Sequence, residues 1–224
     1  MLIDDTFQFS NSRGFVVIEG VNGAGKSTLL SHLERVLVES QIPTLITRQP
    51  GGTALGKLLR SVLLESEGAA RTPLAELFLF AADRAQHVSE VILPALRAGK
   101  LVLCDRYSFS TEAFQGYGRE LDLDGVRQVN EIAVQGCYPD VVILLDMDPA
   151  AGLKRNASEP REHDSFEDEE LSFHTRLRRG FLQMAEDLPI PFLVIDATQT
   201  REKVAQQATA VVQKLLKESK HLVL

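Results

Sequence analysis

The segment FVVIEGVNGAGKSTLL, Phe15 to Leu30, decides the fold class of this 224-residue chain. It begins with an apolar run, FVVIEG, which is typical of a strand that is covered on both faces of a parallel sheet. Gly20 to Ser27 then reads GVNGAGKS and fits the phosphate-loop pattern G-x-x-x-x-G-K-[ST]. Because a strand precedes this glycine-rich turn and a leucine-rich helical period follows it, the segment predicts a site for a nucleoside triphosphate.

The physical chemistry of such a loop assigns roles to its residues. Glycines let successive backbone N–H groups turn toward phosphate oxygens, and the helix that follows adds its positive N-terminal end. We expect Lys26 to reach the β- and γ-phosphates and the Ser27 hydroxyl to coordinate Mg²⁺. The residues predicted to hold the phosphates of the nucleoside triphosphate are Gly20, Val21, Asn22, Gly23, Ala24, Gly25, Lys26, Ser27 and Thr28.

Further apolar runs follow along the chain, near residues 43–48, 100–105, 140–146 and 191–196. Apolar residues at helical spacing separate these runs, for example at positions 55, 58, 59, 62 and 63. Alternating strands and helices predict an α/β fold with a mainly parallel sheet. No repeat or Gly/Ser-rich linker divides the chain, so we expect an N-terminal extension, 1–14, and one domain, 15–224.

The composition excludes several classes of protein. The formal net charge is -7, which argues against a basic nucleic-acid binder. Cys104 and Cys137 have no metal-ligand spacing and predict no disulfide framework. The first residues lack the pattern of a signal peptide, and no apolar stretch approaches the roughly 20 residues of a membrane span. We therefore expect a cytoplasmic protein without nucleic-acid or membrane partners.

Arginines and one aspartate follow or end the predicted strands. Asp105 can hold a metal ion or its waters and Arg106 can clamp a phosphate, although a local salt bridge explains this pair equally well. Arg48 ends another strand. Arg84 lies one helical turn beyond Phe80, so the two could offer charge and a stacking surface to a base, unless Phe80 belongs to the core. Together these residues suggest phosphoryl transfer between two phosphorylated ligands.

The segment at 154–170, KRNASEPREHDSFEDEE, differs from the rest because it is charged and almost free of apolar residues. One interpretation is a solvated loop followed by a helix start. The other is a short lid over an active site, which has to be only weakly tied to the core.

Six motifs occur in the order found in one family: FVVIEGVNGAGKST, TRQPGGT, FLFAADRAQH, DRYSFSTEAFQGYGR, YPDVVILLDMDP and IDATQ. With these motifs the chain resembles the thymidylate kinase (dTMP kinase) family over nearly its whole length. The resemblance implies a three-layer fold of the P-loop nucleoside monophosphate kinases, with a five-stranded parallel sheet flanked by helices and a short lid. It also implies the reaction ATP + dTMP → ADP + dTDP with Mg²⁺, in a homodimer.

The resemblance further implies roles for single residues. Asp105 supports Mg²⁺ and the geometry of Arg106. The phosphate loop carries no basic residue besides Lys26, so the chain resembles members with a transition-state arginine in the lid, here Arg155 and Arg161 jointly. For dTMP, the resemblance implies that Arg48 and Arg106 bind the phosphate and that Phe80 and Arg84 bind thymine. It implies that Ser110, Thr111 and Gln115 line the nucleoside pocket and that Phe114 lies near the sugar. For ATP, it implies that Asp196 to Gln199 pack against adenine.

Two positions depart from the family pattern. Asn22 and Gln49 stand where the family commonly has carboxylates, which removes negative charge but keeps hydrogen-bonding capacity. Tolerated drift, weakened catalysis and a shifted substrate preference all remain open. The alternative functions are therefore a kinase for another nucleotide or a nucleoside, and a nucleotide-binding module with little catalysis.

Overall fold

The strand predicted before the phosphate loop is β1 (Phe15–Gly20), and all of its residues are buried. In the computed structural model, which describes residues 7–9, 13–64, 70–157 and 165–219, β1 lies at the centre of a five-stranded sheet. The strand order is β2-β3-β1-β4-β5, and every pair is parallel. The other strands are β2 (Thr44–Arg48), β3 (Leu101–Asp105), β4 (Val141–Asp146) and β5 (Phe192–Asp196). The predicted sheet is confirmed.

Helices cover both faces of this sheet. The α-helices described are α1 (Lys26–Glu39), α2 (Ala54–Leu64), α3 (Pro73–His87), α4 (Leu93–Arg97), α5 (Ser108–Thr111), α6 (Leu123–Val134), α7 (Pro149–Ala157), α8 (Leu171–Asp187) and α9 (Arg201–Glu218). Two π-helical segments, Val88–Ile92 and Glu112–Gly118, and a 3-10 turn, Ser165–Asp168, complete the described elements. Glu112–Gly118 directly follows α5, so α5 and this segment together carry the predicted nucleoside-binding residues.

The two faces of β1 belong to two different hydrophobic layers. Val16 and Ile18 pack into a cluster with residues of α1 and α9, whereas Phe15 and Val17 pack into a second cluster with residues of α8. This division follows from the alternation of side chains along a strand. It yields the predicted three-layer α/β fold.

Because all strands are parallel, their C-terminal ends meet at one edge of the sheet. Arg48 pairs in register with Asp105, and Asp146 pairs with Asp196. The phosphate loop leaves β1 at this same edge. Open α/β sheets bind their ligands there.

The charged segment at 154–170 is more firmly attached than its composition predicts. Its first residues form the last turn of α7. Phe166, in the 3-10 turn, is only 2% exposed, and its ring lies 5.1 Å from that of Phe114 and 6.3 Å from that of Phe173. The described end of the segment is thus anchored in the core rather than solvated. Residues 158–164, which include Arg161, lie outside the described residues.

The predicted N-terminal extension also contacts the domain. Phe9 is buried in the layer that contains α9, and its backbone N–H donates to the Glu218 carboxylate at 2.5 Å. Among the described helices, none is both long enough and apolar enough to cross a membrane.

Candidate active site

The phosphate loop joins β1 to α1 through three glycines with positive φ angles: Gly20 at 144°, Gly23 at 80° and Gly25 at 95°. A Cβ atom on Gly23 would lie 2.0 Å from the carbonyl oxygen of Gly152 in α7. A Cβ on Gly152 would in turn lie 2.4 Å from the carbonyl oxygen of Asn22. Glycine is therefore required on both sides of this contact, and α7 packs directly on the loop.

Lys26 is the first residue of α1, and its side chain is folded back over the loop. Its Nζ donates hydrogen bonds to the carbonyl oxygens of Gly20 and Val21, both at 3.0 Å. These bonds hold the ammonium group close to the loop backbone. A cation in this place suits the role predicted for Lys26 at the triphosphate.

Arg106 follows the end of β3 and has a positive φ of 66°. Its guanidinium donates to the Gly20 carbonyl at 3.0 Å, to Ser110 Oγ at 3.1 Å and to Asn22 Oδ1 at 2.5 Å. The group also lies 5.3 Å from the centre of the Phe114 ring. These contacts fix the fork of nitrogens beside the phosphate loop, where it can bind an anionic oxygen pair.

Glu19 is a site residue that sequence reasoning missed. Its buried carboxylate accepts from the Tyr107 N–H at 2.9 Å and from Ser110 Oγ at 2.7 Å, and lies 3.8 Å from the Arg106 guanidinium. Burial raises the pKa of Glu19, and the nearby charge of Arg106 opposes that rise. The signal was present in the sequence, since Glu19 is an acidic residue inside an otherwise apolar strand.

Asp105 ends β3 and carries the site's clearest unsatisfied acceptor. Its Oδ1 atom is buried and has no hydrogen-bond partner within the described residues. Asp105 and Ser27 both line two cavities, one of about 180 Å³ and one of about 200 Å³ next to the loop. A carboxylate oxygen and a hydroxyl at the junction of two cavities fit Mg²⁺, which prefers few protein oxygens together with phosphate and water ligands.

The cavity of about 180 Å³ brings the predicted substrate residues together. The predicted residues that line it are Arg48, Phe80, Arg84, Arg106, Ser110, Thr111, Phe114 and Gln115. Phe80 is half-buried, and its ring lies 6.2 Å from that of Phe166, which also lines the cavity. Phe80 is thus available to a ligand rather than enclosed in the core.

Arg84, which was predicted to bind the base, is held in place by several hydrogen bonds within the protein. Its guanidinium donates to Asn130 Oδ1 at 2.8 Å, to the Tyr107 carbonyl at 3.2 Å and to Thr111 Oγ1 at 2.7 Å. Its Nε atom has no partner in the described part of the chain. Burial lowers the pKa of this arginine. Its three hydrogen bonds fix the guanidinium in the cavity wall.

A larger cleft, of about 630 Å³, borders the end of the loop and the start of α1. Its walls include Gly25 and Thr28 at the start of α1, and Ala197 and Gln199 after β5. Arg155 lines both this cleft and the cavity of about 200 Å³ next to the loop. Of the two predicted lid arginines, Arg155 thus lies at the site, whereas Arg161 falls outside the described residues.

Comparison with known proteins agrees with this geometry. Residues 18–208 match the family model described as thymidylate kinase. The chain belongs to the thymidylate kinase family. It is 45% identical over 209 residues to the thymidylate kinase of Desulfovibrio desulfuricans, covering 91% of this chain and 96% of that one. It is 47% identical over 208 residues to that of Solidesulfovibrio magneticus, covering 90% and 100%, and 44% identical over 195 residues to that of Halothermothrix orenii, covering 86% and 93%.

In this member of the thymidylate kinase family, Asn22 bridges the phosphate loop and the segment that follows α7. Its amide nitrogen donates to Glu167 Oε1 at 3.2 Å, while its oxygen accepts from Arg106. Asn156 donates to the same Glu167 oxygen at 3.3 Å. An aspartate at position 22 would keep the acceptor for Arg106 but place a second carboxylate against Glu167. The structure therefore gives the uncharged residue a specific role as a hydrogen-bond donor.

Stability below neutral pH is expected to depend on His87, which is fully buried behind the turn that follows β2. Its Nε2 lies 2.7 Å from Thr47 Oγ1. Burial, reinforced by Arg84, lowers the pKa of His87 from 6.5 to about 4, so the imidazole is neutral in the folded state. Between these values the unfolded chain binds more protons, and stability is lost as the pH falls, by roughly 3 kcal/mol from pH 7 to pH 4.

Urea unfolding of the wild type and of His87→Asn at several pH values measures this contribution. The difference in unfolding free energy between the two proteins should shrink by that amount as the pH falls. His32→Asn, which removes a histidine from α1, should retain the pH dependence of the wild type. Parallel curves for the wild type and His87→Asn would contradict the assignment to His87.

Proposed function

We propose that this protein transfers the γ-phosphoryl group of ATP to dTMP, forming ADP and dTDP. One observation carries the proposal. Ser27, Asp105 and Arg106 line both the cavity next to the phosphate loop and the cavity that contains the predicted substrate residues, so two phosphorylated ligands would meet at these three residues. Membership in the thymidylate kinase family supports ATP as the donor and thymidylate as the acceptor.

The donor would bind with its phosphates on the loop. Backbone N–H groups and Lys26 neutralise phosphate charge, and the positive end of α1 adds to this field. The wide cleft beyond Gly25 has room for a nucleoside, and Ala197 and Gln199 in its wall belong to the segment that the family resemblance assigns to adenine. Mg²⁺ would be held by the Ser27 hydroxyl and the unsatisfied Asp105 carboxylate, and when bound it supplies positive charge to the phosphates.

The acceptor would bind with its phosphate between Arg48 and Arg106 and its base toward Phe80. Arg106 is already oriented by its protein contacts, so little ordering is required when the phosphate binds. Gln115 lies in the wall of the same cavity, and its Oε1 atom has no partner in the described part of the chain. This oxygen can accept a hydrogen bond from an N–H group of a pyrimidine base.

No covalent intermediate on the protein is required. The chain's own contribution is to align the two phosphates, exclude water and stabilise the charge that develops on the transferred group. We assign the last of these tasks to Arg155, and its position at the border of both the nucleotide cleft and the cavity next to the loop supports this assignment. We include Arg161 in the proposal from the sequence alone.

Release of ADP from Mg-ATP tests the proposed function directly. The protein is incubated with dTMP, dUMP, dCMP, dGMP, AMP or thymidine. We expect turnover to be highest with dTMP and absent with thymidine, since Arg48 and Arg106 require an acceptor that carries a phosphate. Higher turnover with another monophosphate would identify that nucleotide as the substrate. ATP binding without transfer to any acceptor would indicate a nucleotide-binding module instead of a kinase.

We also propose that the protein is a homodimer, because three helices leave apolar side chains uncovered. The layer of α2, α3 and α6 exposes a set of large apolar residues: Leu55, Leu58, Val62, Leu74, Phe78 and Ile132. In α2 this set is part of the periodic apolar pattern that predicted the helix. Exposed apolar side chains on α3 and on α2 and α6, which both contact it, favour burial against a second copy.

Charge introduced on this face should dissociate the dimer. Leu58→Glu is expected to elute as a monomer at concentrations where the wild type is dimeric, because the carboxylate would be buried in an apolar interface. Val38 on α1 provides a matched control, since Val38 and Leu58 are both 67% exposed. Light scattering coupled to gel filtration measures the mass. A dimeric Leu58→Glu variant, or a monomeric Val38→Glu variant, would contradict this interface.

We also propose that the protein is located in the cytoplasm. Cys104 and Cys137 are both buried and not joined to each other. Burial raises the pKa of both thiols, that of Cys137 to about 11. Protonated, enclosed thiols suit a reducing compartment, where cysteines do not form structural disulfides.

A further inference from the structure

Gln49 has a buried side chain whose polar atoms are not used within the protein. The residue is 5% exposed, and neither Oε1 nor Nε2 has a hydrogen-bond partner among the residues that the structure describes. Exchanging the oxygen and the nitrogen of the amide would not change this, because both atoms are unsatisfied. A buried amide in this state is unusual and costs free energy, so it requires an explanation.

Gln49 lines the substrate cavity together with the two arginines proposed to bind the phosphate. Gln49 directly follows Arg48 at the end of β2, and its backbone N–H donates to the Asp105 carbonyl at 2.9 Å. The backbone is therefore tied to β3 beside Arg106. Gln49, Arg48, Asp105 and Arg106 all line the same cavity of about 180 Å³.

The surroundings indicate the chemistry of the missing partner. An amide nitrogen needs an acceptor, and two neighbouring guanidinium groups favour an acceptor that is anionic. A phosphate monoester meets both conditions, because its oxygens accept several hydrogen bonds at once. A carboxamide can donate such a bond, which the carboxylate common at this position in the family cannot.

We propose that the Gln49 carboxamide donates a hydrogen bond to the phosphate of the monophosphate substrate, as the third member of a clamp with Arg48 and Arg106. This inference rests on the proposed function, in which that substrate is dTMP. It assigns a direct binding role to a residue that otherwise reads as a neutral replacement for a carboxylate. The unsatisfied amide of the free protein is then a group held ready for its ligand.

Gln49→Met tests the proposal, because methionine has similar length but forms no comparable hydrogen bond. Removing the unsatisfied amide should leave the Tm of the ligand-free protein unchanged or raise it. Removing a donor to a charged group should weaken dTMP binding by about tenfold or more. Calorimetric titration should show this loss with dTMP but not with thymidine, which has the same base and sugar and no phosphate.

Two further variants sharpen the test. Gln49→Glu keeps the length of the side chain but removes the donor, so it should weaken dTMP binding as Gln49→Met does. Gln128, which is exposed on α6, provides the control, and Gln128→Met should leave both Tm and dTMP affinity unchanged.

Several results would overturn the inference. One is a dTMP affinity of Gln49→Met that lies within about twofold of that of the wild type. Another is an equal loss of affinity for thymidine in this variant. A third is a lower Tm of ligand-free Gln49→Met, which would make Gln49 a structural residue. In each case, phosphorylation of dTMP by the wild type would leave the proposed function intact. A wild type that binds no dTMP would overturn both.

Discussion

Arg106→Ala is expected to lower kcat/KM for dTMP by about 10³-fold or more, equivalent to about 4 kcal/mol of transition-state stabilisation. The guanidinium is held by Gly20, Asn22 and Ser110 on one side and packs over Phe114 on the other. Alanine removes both the phosphate clamp and the donors that satisfy these acceptors. Steady-state kinetics with dTMP varied at saturating Mg-ATP measure the loss.

Two variants separate charge from geometry in this prediction. Arg106→Lys keeps the charge but loses the planar fork, so we expect it to remain at least about tenfold below the wild type. Arg97→Ala, on the exposed last turn of α4, is the control and should behave as the wild type. If Arg106→Ala retained more than about a tenth of wild-type kcat/KM, the phosphate clamp would have to be assigned elsewhere.

The double variant Arg155→Ala/Arg161→Ala should lose kcat by about 10³-fold, the lower end of the range known for arginines that stabilise phosphoryl transfer. The phosphate loop supplies no cation besides Lys26 for the charge that develops on the transferred group. Arg155 is the described lid arginine that borders both the nucleotide cleft and the cavity next to the loop. Single-turnover measurement of dTDP formation isolates the chemical step.

Lys154→Ala is the control for this prediction, because Lys154 is an exposed neighbour of Arg155 on α7. Its kcat should match that of the wild type. The single variants Arg155→Ala and Arg161→Ala then rank the two arginines, which sequence spacing cannot do. A kcat of the double variant within about threefold of the wild type, which is less than 1 kcal/mol, would exclude both from the transition state.

The strands could be predicted from the sequence because this sheet is covered on both faces. β1, β3 and β4 are almost wholly buried, and all three appear in the sequence as runs of mostly apolar residues. β2 gave a weaker signal and is only partly buried, since it lies at one edge of the sheet. Arg48, Asp105 and Arg106 could be predicted to lie together, because parallel strands bring their C-terminal ends to one edge of the sheet. The other substrate residues lie on helical segments, and their roles were predicted from the family resemblance.

Other features depend on contacts that a local pattern does not encode. A helical apolar stripe has the same period whether it covers the core or another surface, so the exposure of Leu58 and Phe78 could not be predicted. Phe166 was the sole large apolar residue in a charged segment, and only the fold shows that its ring lines the substrate cavity. The contact between Glu19 and Arg106 likewise joins β1 to the turn that follows β3.

The close contact between Gly23 and Gly152 couples the position of the phosphate loop to that of α7. Gly23 and Gly152 allow the backbones to touch, so the helix that carries Arg155 is positioned by the loop itself. Because Gly23 touches Gly152, any movement of the loop at Asn22 and Gly23 would be transmitted to α7. Gly152 thereby constrains the placement of Arg155 through backbone shape alone.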